Sequence, residues 1–198
     1  MAVRSPELQA FLDAFRDAIR ARAKPRSPEA LACERIYGAL ETPVETKAPP
    51  ATRLPVCRFL EPAFAAAEQV DAPTARLSRA LRALDPMLAW GVRNTATQIG
   101  EPFLSGHANA SIVAPGQLES RTDVWVGVSL MAPNITYPYH DHPPEEVYVS
   151  LSPGDWQQNA DPWVTPGTGG LIYNPPGIRH AMRAANAPFL AAWCLWAG

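Results

Sequence analysis

The chain predicts a mainly β fold: a small barrel or two-sheet sandwich over residues 106–198, with an α-helical region over residues 1–105 packed on it. Three observations predict it. Beyond Gly106, short runs rich in β-branched and aromatic residues recur at roughly ten-residue spacing between turn signals. Before it, apolar residues recur at helical spacing behind helix-start signals. The 22 prolines among 198 residues break the chain into short elements and argue against long helices or a parallel sheet.

The elements follow in order. Ser5-Pro6-Glu7 starts a helix with a capping hydroxyl, a first-turn proline and an early acid. Leu8, Phe11, Leu12, Phe15 and Ile19 form its apolar stripe, ending near Lys24-Pro25. Ser27-Pro28-Glu29 repeats the signal ahead of Leu31, Ala32, Ile36 and Leu40. Thr42 to Pro55 reads as an irregular connection. A third helix is expected over Ala63–Val70 and a fourth over about Thr74–Leu84, stopped by Asp85-Pro86. These stripes call for packing on a neighbour, with folding over the barrel mouth as a functional option. Strands are expected at Asn109–Val113, Val124–Met131, Tyr137–His142, Glu145–Leu151, Trp156–Gln158, Leu171–Tyr173 and His180–Arg183. Phe189–Trp196 closes the barrel.

Composition excludes several function classes. A net charge of −2 gives no basic footprint for nucleic acid. No run of 18 apolar residues exists to span a membrane. Arg4 to Arg22 alternates charged and apolar residues and lacks the core of a secretory signal. Cys33, Cys57 and Cys194, odd in number and widely spread, read as reduced thiols of a cytoplasmic protein.

Chemistry concentrates in Tyr137-Pro-Tyr-His-Asp-His-Pro-Pro-Glu-Glu-Val-Tyr148 and in Gly169 to His180. His140 and His142 share a strand face, because side chains two apart point the same way. Pro143-Pro144 interrupts the ladder. Glu146 and Tyr148 then share one face, Val147 and Val149 the other, and Glu145 points outward. Imidazole plus carboxylate suits one divalent ion such as zinc, iron, nickel or manganese. Three or four protein ligands with an open position is the form of a catalytic site. His107, outside both segments, reads as structural. A divalent cation near Tyr148 favours its phenolate, which then serves as ligand or base. Tyr137 competes for that role: parity points it away from His140, but Pro138 makes the rule unreliable.

His-x-His-x3-Glu, here His140, His142 and Glu146, resembles the first cupin motif, and Gly169-x5-Pro175-x-Gly177-x2-His180 resembles the second. Two framework positions depart: Asn134 replaces the usual opening glycine, and Ala184 the usual closing asparagine. Tyr-Pro-x-His-x-His-Pro-x-Glu-Glu-x-Tyr, a following Trp, Asn-Pro-Pro-x-Ile-Arg-His-Ala-Met-Arg and Trp-Cys-Leu-Trp are together similar to the cupin-type dimethylsulfoniopropionate (DMSP) lyases. The DddQ form is nearest and the DddL form a relative.

The resemblance implies a double-sheet jelly-roll barrel with one divalent metal ion on His140, His142, Glu146 and His180. It implies cleavage of a small sulfonium carboxylate, DMSP, to dimethyl sulfide and acrylate, with Tyr148 or Tyr137 as general base. A sulfonium is a permanent cation that an aromatic wall holds without a competing anion. Of Trp125, Tyr139, Trp156, Trp163, Tyr173, Trp193 and Trp196, the candidates for that wall are Trp156, Tyr173 and Tyr139. The rivals are an iron-dependent cupin dioxygenase acting on a thiol or small acid, and a cupin that only binds a small ligand. A monomer or homodimer is expected in either case.

Overall fold

A computed structural model describes residues 3–44 and 48–198. The expected connection from Thr42 to Pro55 therefore lies partly outside the described residues. Helix α1 (Pro6–Arg20) opens as its sequence directs, with the Ser5 hydroxyl accepting the Leu8 N–H at 3.2 Å. Helix α2 (Pro28–Leu40) has Ser27 at its cap position, but the hydroxyl makes no capping bond. Helix α3 (Leu60–Ala67) begins three residues before the expected start. Its apolar stripe runs Leu60, Ala63, Phe64, Ala67, and Pro62 falls in the first turn, where a missing N–H costs nothing. Helix α4 (Ala72–Leu84) is capped by Asp71, whose carboxylate accepts the Thr74 N–H at 2.9 Å. Two single-turn helices, α5 (Ala96–Ile99) and α6 (Phe103–Gly106), lead into the strands.

The strands are β1 (His107–Val113), β2 (Val124–Met131), β3 (Thr136–His140), β4 (Glu145–Ser150), β5 (Asp155–Gln158), β6 (Leu171–Asn174), β7 (His180–Arg183) and β8 (Phe189–Trp196). They form two antiparallel sheets, ordered β1-β2-β8-β4-β6 and β3-β7-β5. Period-two alternation divides the large sheet cleanly. Val126, Val128, Val147, Val149, Leu190 and Ala192 join the apolar faces of α1 to α4 in one core. Met131, Tyr148, Phe189 and Ala191 point the other way, into a second core shared with Tyr137, Trp156 and Met182 of the small sheet.

Helices α1 to α4 thus cover the outer face of the large sheet and do not fold over the barrel mouth. An amphipathic stripe states that a helix buries one side; which sheet face receives it depends on where the other apolar face of the strands lies. Glu145 follows the same geometry. It points out of the barrel, as parity requires, but is 7% exposed beneath α2, held by Arg35 and by the Tyr173 hydroxyl at 2.8 Å.

Backbone conformation explains one departure from the cupin pattern. Asn134 has φ of 64°, the left-handed region that asparagine tolerates better than other non-glycine residues. Gly169 and Gly177 of the second motif also have positive φ, at 84° and 70°.

Gly127 lies directly opposite Trp193 across β2 and β8, and a Cβ there would collide with the Trp193 ring and the Ala110 carbonyl. Gly127→Ala should overpack this wall by about 1–3 kcal/mol. The thermal midpoint then falls by roughly 2–10 °C, measurable by calorimetry.

Candidate metal centre and cavity

The register of β3 sets the site. Its pairing with β7 shifts between Tyr137 and His140, around Pro138. Strict alternation would place Tyr137 and His140 on opposite faces; the shift brings both inward, with ring centroids 4.8 Å apart. Tyr139 is consequently turned outward, 37% exposed, bonded to Gln157 and covered by the Arg179 guanidinium. His142 follows the strand, and its carbonyl accepts the Gly177 N–H at 3.0 Å, tying the first motif to the turn of the second. His140 pairs directly with His180 of β7.

The three imidazoles are oriented alike. Nδ1 of His140, His142 and His180 lies 3.0, 2.8 and 3.0 Å from the carbonyls of Pro138, Pro144 and Ile178. A carbonyl can only accept, so each Nδ1 carries a proton, and in the neutral ring each Nε2 offers a lone pair. His142 Nε2 lies 3.2 Å and His180 Nε2 3.5 Å from Glu146 Oε2. Donor atoms of His142, Glu146 and His180 all lie within 4.8 Å of one another and could hold a metal ion. His140 stands beside them, its ring centroid 4.1 Å from that of His180, but is not part of that close-spaced group.

Glu146 is steadied by the Asn174 side-chain N–H at 3.0 Å, which the β4–β6 register places opposite it. Burial pushes His140 down to about 3, with neighbouring His180 adding to the effect. Burial also lowers His180, opposed by the Glu146 charge. Burial acts downward on His142 as well, but the Glu146 carboxylate beside its Nε2 favours the doubly protonated ring and leaves that group raised; a bound ion would take the place of that second proton.

A divalent ion fits these residues. His180 Nε2 is buried with no hydrogen-bond partner, an orphan that costs free energy unless a ligand takes its lone pair. Neutral imidazoles fixed through Nδ1–H to carbonyls, beside a hydrogen-bonded carboxylate, form the donor set and outer shell such ions use.

Beside this cluster opens a cavity of about 210 Å³, walled by Arg93, Asn109, Trp125, Ser129, Tyr137, Tyr148, Trp193 and Leu195 together with His140, Asp141, His142 and Glu146. Burial raises the Tyr148 phenol well above its ordinary range, and the Glu146 charge adds to this. Burial also raises Tyr137, but Arg93 and the Asn109 side-chain N–H, 3.1 Å from the phenol oxygen, work against it.

Of the aromatic candidates for the cavity wall, none of Trp156, Tyr173 and Tyr139 lines it. Trp156 fills the barrel interior behind Tyr148, packed on Phe189 at 4.9 Å. Tyr173 pairs with Val147 in the ladder and so shares its outward face. Trp125 and Trp193, which were among the aromatic residues singled out in the strands, do line it. Arg93, Asn109 and Ser129 carry no motif signal; Asn174 opens the Asn-Pro-Pro run, where nothing local marks it as the partner of Glu146. Period-two parity with the strand partners could have found Asn109, Ser129 and Asn174; nothing local marks Arg93. His107 is structural: fully buried, stacked on Phe103 at 3.7 Å, with Nδ1 bonded to the Phe103 carbonyl.

Two facing antiparallel sheets with histidines and a glutamate gathered at one end define a cupin barrel. The family model for dimethylsulfoniopropionate lyases matches residues 29–191, and the chain belongs to that family. It is 27% identical over 110 residues to dimethylsulfoniopropionate lyase DddQ of Ruegeria pomeroyi, a match covering 55% of this chain and about half, 54%, of that relative. The crystal structure of DMSP lyase DddQ from Ruegeria pomeroyi DSS-3 superposes with a TM-score of 0.70 at 24% identity, covering 98% of this chain and 92% of that one. A chain from the crystal structures of the DMSP lyases RdDddP and RnDddQII gives 0.70 at 23% identity, covering 96% and 92%. Identities this low carry the fold. No helix among the described residues is long and apolar enough to cross a membrane.

If the cluster holds an ion, saturating zinc should raise the wild-type thermal midpoint by roughly 5–10 °C at about a hundredfold excess over Kd. His180→Ala and Glu146→Gln should show no such rise when heated with the same zinc.

Proposed function

We propose that this chain is a metal-dependent carbon–sulfur lyase that splits DMSP by β-elimination into dimethyl sulfide and acrylate. The observation that carries it is the juxtaposition of a His/Glu cluster with two buried tyrosines on one small cavity, in a chain of the DMSP lyase family. His140, His142, Glu146 and His180 would hold one divalent ion, zinc, iron, manganese or nickel. Bound there, such an ion supplies a Lewis acid for the substrate carboxylate.

The protein's own groups then have three tasks. Tyr148 or Tyr137, as phenolate, takes a proton from the carbon next to the carboxylate. The C–H electron pair becomes the second bond of the alkene, the carbon–sulfur bond breaks, and its pair leaves on sulfur as neutral dimethyl sulfide. Arg93 and Asn109 favour the Tyr137 phenolate, whereas Glu146 opposes that of Tyr148 until positive charge is bound beside it. Trp125 and Trp193 line the cavity and offer the sulfonium an aromatic wall. Tyr148 and Tyr137, both nearly excluded from solvent, keep water from competing for the proton.

Metal-loaded protein in an anaerobic vial with DMSP should release dimethyl sulfide to the headspace with an equal amount of acrylate. His142→Ala should abolish it. Oxygen-dependent turnover, or saturable binding with no product, would sink the lyase reading. Phenylalanine at the tyrosine that acts as base should cut kcat about 10²- to 10⁴-fold with metal content unchanged; the other Tyr→Phe variant should lose far less.

A further inference from the structure

We infer that Arg93 shares the substrate's carboxylate with the ion of the His/Glu cluster, and so sets the selectivity of this cavity for a free acid. Its backbone is fixed from below. Gly91 exchanges two hydrogen bonds with Asn109 at 2.9 and 2.8 Å, and the Arg93 N–H donates to His107 Nε2 at 3.1 Å. His107 can accept there because its Nδ1–H is committed to the Phe103 carbonyl at 2.6 Å. The fully buried imidazole therefore anchors a segment outside both motifs against the start of β1.

From that anchor the side chain reaches the cavity wall, with its guanidinium carbon 5.6 Å from the Tyr137 ring centroid. Arg93 also lines the groove alongside, with Tyr139 and Asp141, so it stands where cavity and groove adjoin. Several arginines are matched to acids, as Arg35 is to Glu145 and Arg183 to Asp155; of those that are not, Arg93 is the one that lines this cavity. Arg93 makes no ion pair among the described residues; Asp141, at the same wall, is exposed and does not reach it. A half-buried guanidinium without an anion has given up water and gained only a ring face and a phenol. Its planar fork matches a carboxylate with two parallel bonds. Aromatic wall and unpaired cation together give the cavity the two complements of a zwitterion with a cationic sulfur at one end and a carboxylate at the other. Neutral esters and amides of the same acid lack the charge that Arg93 recognises.

This assignment rests on the lyase reading for its substrate, but carboxylate binding is measurable without turnover. Metal-loaded wild type, Arg93→Gln and Arg93→Lys would be titrated calorimetrically with acrylate, with 3-(methylthio)propanoate and with trimethylsulfonium, which has no carboxylate. Bound metal would be counted in each sample. Arg93→Gln should weaken both carboxylates about 10- to 100-fold, Arg93→Lys should restore part of that, and trimethylsulfonium affinity and metal content should stay put. KM for DMSP should rise in the same order. Unchanged carboxylate affinity in Arg93→Gln, equal loss of the sulfonium probe, or no carboxylate binding by wild type overturns the inference. Carboxylate binding that depends on Arg93 in a protein releasing no dimethyl sulfide would uphold it while refuting the lyase reading.

Discussion

Everything at the site depends on three short hydrogen bonds from imidazole to the chain's own backbone. Each Nδ1 is matched to a carbonyl two residues away, and two of those carbonyls belong to Pro138 and Pro144. Proline fixes φ and cannot join the ladder, so the chain around the histidines has few alternative conformations. The prolines that look like a compositional oddity are, at these positions, the means by which ring orientation is fixed. With a proton committed to Nδ1, the Nε2 of a neutral ring has only a lone pair to offer, and among the described residues no hydrogen-bond partner takes that of His180.

The cost of gathering these groups is borne by the rest of the fold. Glu146 is 3% exposed and His180 is fully buried. A carboxylate in such a place needs hydrogen bonds or a cation to offset its lost hydration. Asn174 supplies one bond across the β4–β6 ladder. The large sheet is in turn held in shape by helices packed on its far side, where Leu77, Leu81, Phe11 and Phe15 are completely buried. Helices and cavity therefore use opposite faces of the same strands: one face stabilises, the other is left free for polar groups.

How much of this was legible in the sequence varied by element, for physical reasons. Strands with strong alternation, such as Val124–Met131 and Phe189–Trp196, are found over the residues the pattern delimits. His142, Glu146 and His180 fall together because the two segments carrying them pair with neighbours in register. Tyr137 was ambiguous because a proline between it and His140 permits a register shift that no local rule reveals. Tyr173 faces away from the cavity because its orientation follows its partner Val147, a long-range pairing that local alternation does not reveal. Trp156 has the inward parity of a cavity residue but lies deeper, and depth along a barrel axis is not encoded in alternation. Arg93 lies 44 residues before Tyr137 by numbering and reaches it through a bridge between Gly91 and Asn109; a lone arginine between helices carries no periodic signal.

The proposed chemistry needs one divalent ion where the oriented Nε2 atoms and Glu146 converge, next to the tyrosines. X-ray absorption at the metal edge of loaded protein, read beside that of His140→Ala, tests it most directly. Imidazole nitrogens and one carboxylate oxygen should appear at about 2.0–2.2 Å, with one nitrogen lost in the variant. A shell of water oxygens with fewer than two imidazoles would contradict it.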